Sequence, residues 1–172
     1  MKITFRYGKA DGLSWVVTLV VLAAMGALST WLFVNAHGAY YVAAWVVALC
    51  VAVEALFLLS KPTRIVLDGK MLELRCLVDT TYLPIDSIVD IVALGNNGFR
   101  HKVPLLGSWG LWGYFGRYAD LRGRRIYNVY ATTRGQCVAI HTTRRRYLIS
   151  CRNADLLVSL VQDARTRNAS EL

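Results

Sequence analysis

Residues 13–35 read LSWVVTLVVLAAMGALSTWLFVN, and residues 40–60 read YYVAAWVVALCVAVEALFLLS. The first run carries no charge over 23 positions, which as helix at ~1.5 Å per residue is ~34 Å and enough to cross the apolar core of a bilayer. The second is alike except for Glu54, and the link Ala36-His37-Gly38 is short enough to force an antiparallel return. Together they read as a two-helix transmembrane hairpin. Trp15, Trp31, Tyr40, Tyr41 and Trp45 lie toward the ends of the runs, where interfacial aromatics belong. Lys2, Arg6 and Lys9 precede the hairpin, Lys61 and Arg64 follow it, and the link holds no Lys or Arg. Excess positive charge stays on the cytoplasmic side, so both termini are expected there, with the chain in the cytoplasmic membrane. A cleaved leader is the competing reading, but its apolar core is only ~7–15 residues long and no second span follows it at once.

Two features inside the hairpin invite a role. Ala44, Ala48 and Ala52 recur at four-residue spacing, as do Ala23 with Ala27 and Gly26 with Thr30. Stripes of small residues let helix backbones approach closely and would close the hairpin, unless the alanines are there only because alanine is common in spans. Glu54 is the one ionisable group at membrane depth. Such a group defaults to a functional hypothesis, here proton or ion handling. Lys61 falls seven positions on and nearly in line with it, so a contact between helices or toward water accounts for it equally simply.

Downstream the composition changes. Pro62 cannot donate to a helical ladder and ends the second run, after which the apolar period becomes two. Ile65 and Leu67 on one side of Asp68-Gly69, with Met71, Leu72 and Leu74 on the other, describe a hairpin. Further strands are expected at 81–83, 87–92, 125–132, 136–142 and 146–151. The last two pair so that Val138 and Ile140 share a face with Tyr147 and Ile149. Asn153 opens a helix with Asp155 in its first turn and Leu156, Leu157, Leu160 and Val161 on one face. The division expected is therefore 1–62, a cytoplasmic segment plus hairpin, and 63–172, a mainly β barrel or sandwich with a C-terminal helix.

The chain has 20 Lys and Arg against 11 Asp and Glu, a net charge of +9. Residues 96–152 hold eleven of those cations and a single acid, Asp120, so they account for the whole excess. On a tethered domain such a field attracts anionic headgroups first and nucleic acid second. No nucleic-acid motif accompanies the charge, and nucleic acid is not expected as a partner.

The run HKVPLLGSWGLWGYFGRYADLRGRRIYNVYATTRGQCVAIHTTRRRYLISCRNADLLVSLV, residues 101–161, resembles the bacterial pleckstrin-homology (PH) domain family that follows short transmembrane hairpins. A basic residue (Arg100 or Lys102) precedes a Gly-rich aromatic run (Gly107, Gly110, Gly113, Tyr114, Phe115, Gly116). Tyr-Ala-Thr at 130–132, a hairpin and a helix come after it, and YLPIDSIVDI at 82–91 matches the family's strand-turn-strand. The resemblance spans about 63–165. Cys151-Arg152-Asn153 makes the helix entrance more basic than in relatives. It implies a PH-like barrel without enzymatic activity, and it does not import phosphoinositide binding, because fold is not function.

Catalytic constellations are missing from the sequence. It has no Gly-x-Ser-x-Gly, Walker or His-Glu-x-x-His pattern, and the glycines at 107, 110, 113 and 116 differ from the dinucleotide fingerprint. Cys50, Cys76, Cys137 and Cys151 include no Cys-x-x-Cys pair and do not cluster with His37, His101 or His141, so neither metal nor cofactor is expected. They read as reduced, buried thiols. What remains is a surface. Arg100, Lys102, Trp109, Trp112, Phe115, Arg117, Arg144, Arg145 and Arg146 are the candidates for contact with membrane lipids or a membrane protein partner. Two alternatives stay open for the aromatics, which are either core under a glycine-rich bend or a binding face. A second functional class, an accessory subunit of a transporter or membrane enzyme, would put Glu54 in the working pathway.

Overall fold

The computed structural model describes residues 2–35, 38 and 40–170. Two helices, α1 (Gly12–Val34) and α2 (Tyr40–Leu59), occupy the apolar runs, and both are long and apolar enough to cross a membrane. Ala36 and His37, which carry the expected tight link, lie outside the described residues. The helices pair as expected but not through the stripes of small residues. Ala44, Ala48 and Ala52 face outward, as do Ala23, Gly26, Ala27 and Thr30. The less exposed positions are Ser14, Val17, Thr18, Val21, Met25, Ser29 and Leu32 on α1 and Ala43, Val47, Cys50, Glu54 and Phe57 on α2. Glu54 decides the rotation. Its carboxylate must turn away from apolar surroundings, and at ~100° per residue the three alanines then sit roughly 80–160° around the helix from it.

The remainder is a sandwich of two sheets with a helix against it, the PH-like fold expected. The smaller sheet has the order β1-β2-β3-β4, from Lys2–Arg6, Pro62–Asp68, Met71–Cys76 and Thr80–Pro84. A 3-10 turn at Ile85–Ser87 leads into the larger sheet, whose order is β5-β9-β10-β8-β7-β6. Its strands are β5 (Ile88–Gly95), β6 (Lys102–Trp109), β7 (Tyr114–Asp120), β8 (Arg125–Ala131), β9 (Cys137–Thr142) and β10 (Arg146–Ser150). Tyr147 lies opposite Ile140 and Ile149 opposite Val138, the pairing read from the sequence. All pairs are antiparallel except β10 with β8.

The core between the sheets is built from the period-two residues: Ile65, Leu67, Leu72 and Leu74 of the small sheet meet Ile91, Val138, Ile140 and Ile149 of the large one. Helix α3 (Ala154–Ser170) closes the end with Leu157 and Val161, which are fully buried, while Leu156 turns outward. The opposite face of the large sheet is apolar too. Tyr114, Tyr118, Tyr127, Val129 and Leu148 are covered there by Leu94 and by Phe99, whose ring lies 5.2 Å from that of Tyr114.

Within the segment expected to precede the hairpin, Lys2–Arg6 is a strand of the β unit. It pairs along its length with β2, from Lys2 opposite Asp68 to Arg6 opposite Arg64. Phe5 is buried in the core between the sheets. The two apolar helices are thus inserted between two hydrogen-bonded neighbours of one sheet. A fragment of residues 63–172 is accordingly expected to expose apolar core and to be cleaved rapidly by protease. The same fragment preceded by residues 2–8 on a flexible linker is expected to resist. In the intact chain Phe5→Ala should cost about 3–4 kcal/mol, read as a lowered unfolding midpoint in detergent.

Candidate functional site

The aromatic-glycine run is the connection between β6 and β7, and its tip docks on the helix hairpin. Gly107 and Gly116 lie opposite each other in the two strands, with φ of 130° and 114°. A Cβ on Gly107 would lie 2.1 Å from the Phe115 carbonyl oxygen, and one on Gly116 would lie 2.2 Å from that of Leu106. Only glycine fits such a crossing, and past it the strands carry the tip toward α1 and α2.

Polar contacts hold the tip. Ser14 Oγ donates to the Gly110 carbonyl at 2.7 Å, and the Trp112 backbone N–H donates to Thr18 Oγ1 at 3.1 Å. The Trp112 indole Nε1 donates to Glu54 Oε2 at 3.2 Å. Lys61 Nζ reaches the same indole from below, 5.8 Å from the ring centroid, so Glu54 and Lys61 both meet Trp112 and not each other. Phe115 packs on Phe57 at 6.1 Å between centroids. Asp11 occupies the N-cap position of α1, but its carboxylate does not cap the helix. It accepts instead from Tyr114 OH at 3.2 Å and from the Arg134 backbone N–H at 3.4 Å. Burial first, then the Asp11 carboxylate, raises the Tyr114 phenol and keeps it a donor. The Arg134 guanidinium stacks over Trp109 and Tyr114 at 5.7 and 5.0 Å.

The candidate residues therefore separate into three places. Trp112 and Phe115 belong to the lock on the helices, while Trp109 stays exposed at its rim. Arg117, Phe115 and Arg145 line one cleft between α2 and the sheets. Lys102 lies at the far end of the large sheet, in register with Asp120 and, through it, Arg125. Seven residues of β7 separate that end from the tip, about 20 Å at the usual strand rise. Exposed Arg100 and Arg144 and half-buried Arg146 are near that end too, Arg146 being opposite His141. The Lys102 side chain is only 6% exposed, 3.9 Å from Asp120 and 4.8 Å above the Tyr127 ring, and burial lowers its pKa.

Sequence reasoning did not find Asp11, Ser14, Thr18 or Arg134. Ser14 and Thr18 carry a signal, since they are polar residues at i and i+4 in an apolar helix and Thr18 also donates to the Ser14 carbonyl at 2.8 Å. Burial pushes the Cys76 thiol up to about 11 and the Cys137 thiol up to about 12, so neither supplies a thiolate at neutral pH. Among the described residues no group of three His, Cys, Asp or Glu is placed to hold a metal ion.

The lock makes a thermodynamic prediction. Trp112→Phe leaves the Glu54 carboxylate buried without its donor and should destabilise the docked state by about 1–3 kcal/mol. In a Glu54→Leu background the same change should cost much less, and the cycle measured by thermal unfolding in detergent should give a coupling of about 0.5–3 kcal/mol.

His141 makes a second prediction. Burial lowers its pKa, the Arg146 cation lowers it further, and Asp90 opposes them. The unfolded chain therefore takes up this proton before the folded one. Its contribution to stability is full above the ordinary histidine range and is lost as pH falls through that range toward the lowered folded value. Between pH 7 and 5 the unfolding midpoint should drop less for His141→Asn than for the unaltered protein.

Compared with known families, the chain matches the family model described as bacterial PH domain over residues 63–164. No curated protein and no solved structure matches it. The matched residues include the tip, the sheet walls of the cleft and the basic end, and they leave out β1, α1 and α2.

Proposed function

The chain belongs to the bacterial PH domain family, and on that premise we propose that it is a non-enzymatic interaction module, anchored in the cytoplasmic membrane with both termini inside. The observation that carries the reading is the lock. A domain merely tethered by a linker would sample many orientations, whereas this one is bonded to the first two turns of α1 and the last two of α2. It presents one set of residues to the bilayer and another to the cytoplasm.

The membrane-facing set is apolar with scattered cations. Leu77 donates its backbone N–H to the Lys61 carbonyl at 3.1 Å, so the β3–β4 turn sits at the base of α2 with Leu77 and Val78 exposed. Leu106 and Trp109 are exposed along β6 near the tip. Exposed apolar groups beside a span belong at headgroup level, where Trp is favoured and each nearby Lys or Arg adds about 1 kcal/mol of attraction to anionic lipid. The far end carries Arg100, Arg122, Arg124 and Arg125, all exposed. At about 20 Å of strand from the tip it lies beyond the ~8 Å Debye length and suits an acidic partner in the cytoplasm better than the bilayer. As for the accessory-subunit alternative, the Trp112 bond gives Glu54 a structural duty, which favours the module.

Two measurements test this. Reporter fusions after Leu172 and at His37 should report cytoplasm and exterior respectively. In nanodiscs, a spin label at Val78→Cys should be shielded from a water-soluble relaxant, and one at Arg124→Cys should be open to it. Equal accessibility would mean that the domain hangs free, and the reverse fusion pattern would refute the orientation.

A further inference from the structure

The cleft between α2 and the two sheets is open where the sandwich splits, and its volume is about 590 Å³. Along the large-sheet wall the lining grades from apolar to charged in one direction, while Ser60 and the β3–β4 turn residue Asp79 stand at the helix end of the small-sheet wall. At the helix end are Val53 and Leu56, both on the outward face of α2, with Phe115. Two residues further along β7, in register with Leu106, comes Arg117. Arg145 lies beyond it, since β10 runs parallel to β8 and Tyr147 is already level with Asn128 and Arg117. Neither Arg117 nor Arg145 is held in an ion pair among the described residues. Asp79, on the small-sheet side, is the one carboxylate in the lining.

We infer that this cleft is a phospholipid site, in which an acyl chain lies along Val53, Leu56 and Leu106 and the phosphodiester reaches Arg117 and Arg145. The inference deepens the anchored-module reading and rests on it, because the apolar end opens on the face of α2 that the bilayer would cover. Two arginines and one aspartate leave the lining at +1, which matches a headgroup of one negative charge and no amine, such as phosphatidylglycerol. Guanidinium suits a phosphate because its fork of donors matches the oxygens of the group. A soluble phosphate ester shares the charge but leaves the apolar end unfilled.

The full-length protein in mild detergent is titrated, by native mass spectrometry, with short-chain phosphatidylglycerol, with the phosphatidylcholine of the same chains, and with glycerophosphate. Phosphatidylglycerol should bind most tightly. Arg117→Gln with Arg145→Gln should weaken it about tenfold or more, and Leu106→Ser should weaken it and leave glycerophosphate unchanged. Arg122→Gln with Arg124→Gln, at the far end, should have no effect. Equal binding of the two lipids, or no loss in the Arg117 and Arg145 variant, overturns the site. Glycerophosphate binding as well as the lipid would make it a site for soluble anions and overturn the lipid assignment. If the fusions report the expected orientation while the lipid arms fail, the cleft assignment falls alone, whereas a reversed orientation removes the module reading beneath it.

Discussion

A carboxylate five residues before the C-terminal end of an apolar helix has few ways to be satisfied, and in this protein Trp112 supplies the donor. Burying an ionisable group without a partner costs several kcal/mol, so Glu54 and the indole constrain each other's position strongly. The constraint propagates in both directions. On the helix side it sets the rotation of α2, which sends Ala43, Val47, Cys50 and Phe57 inward with Glu54 and Ala44, Ala48 and Ala52 outward. On the domain side it draws the β6–β7 tip up against α1, where Ser14 and Thr18 complete its backbone hydrogen bonds. The orientation of the large sheet follows, because β7 runs directly out of that tip.

The cleft is a by-product of the same geometry. With Phe115 pinned on Phe57, the inner face of the large sheet cannot close fully on the small one at that edge, and the last turns of α2 stand in for the missing wall. The last turns of α2 thereby line the cleft as well as docking the tip. Cys137 and Cys151, by contrast, are fully buried and lie outside the cleft, whereas half-buried Cys76 is part of its lining.

Much of the architecture was legible in the sequence because the physical signals are local. An uncharged run longer than a bilayer is thick, an Asp-Gly turn between alternating strands, and a capped terminal helix each need no knowledge of distant residues. The strands β6 and β7 were not legible, because Gly107 and Gly116 interrupt the alternation and make sense only as opposed partners in a crossing. Strand β1 was hidden differently. Lys2 and Arg6 flank a hydrophobic run and read as topology signals, while Ile3 and Phe5 offer only two apolar positions at period two. The helix rotation failed because small-residue spacing is a weak signal beside one buried charge. For the site, the tip aromatics and Glu54 could each be named, but not their meeting, which depends on residues 58 positions apart.

On the proposed anchored reading, the insertion of the helices between β1 and β2 also makes the fold a check on membrane insertion itself. Two strands can share hydrogen bonds only in the same compartment, and an even number of crossings returns the chain to the side from which it left. A chain that threads only one of its two helices strands β1 and β2 on opposite sides, and the small sheet then lacks an edge that Phe5 helps to seal. During synthesis the first strand must wait, unpaired, until both crossings are complete. Maturation of the soluble unit thus follows biogenesis of the anchor, and a misthreaded molecule displays unfinished core to the proteolytic machinery that removes failed products.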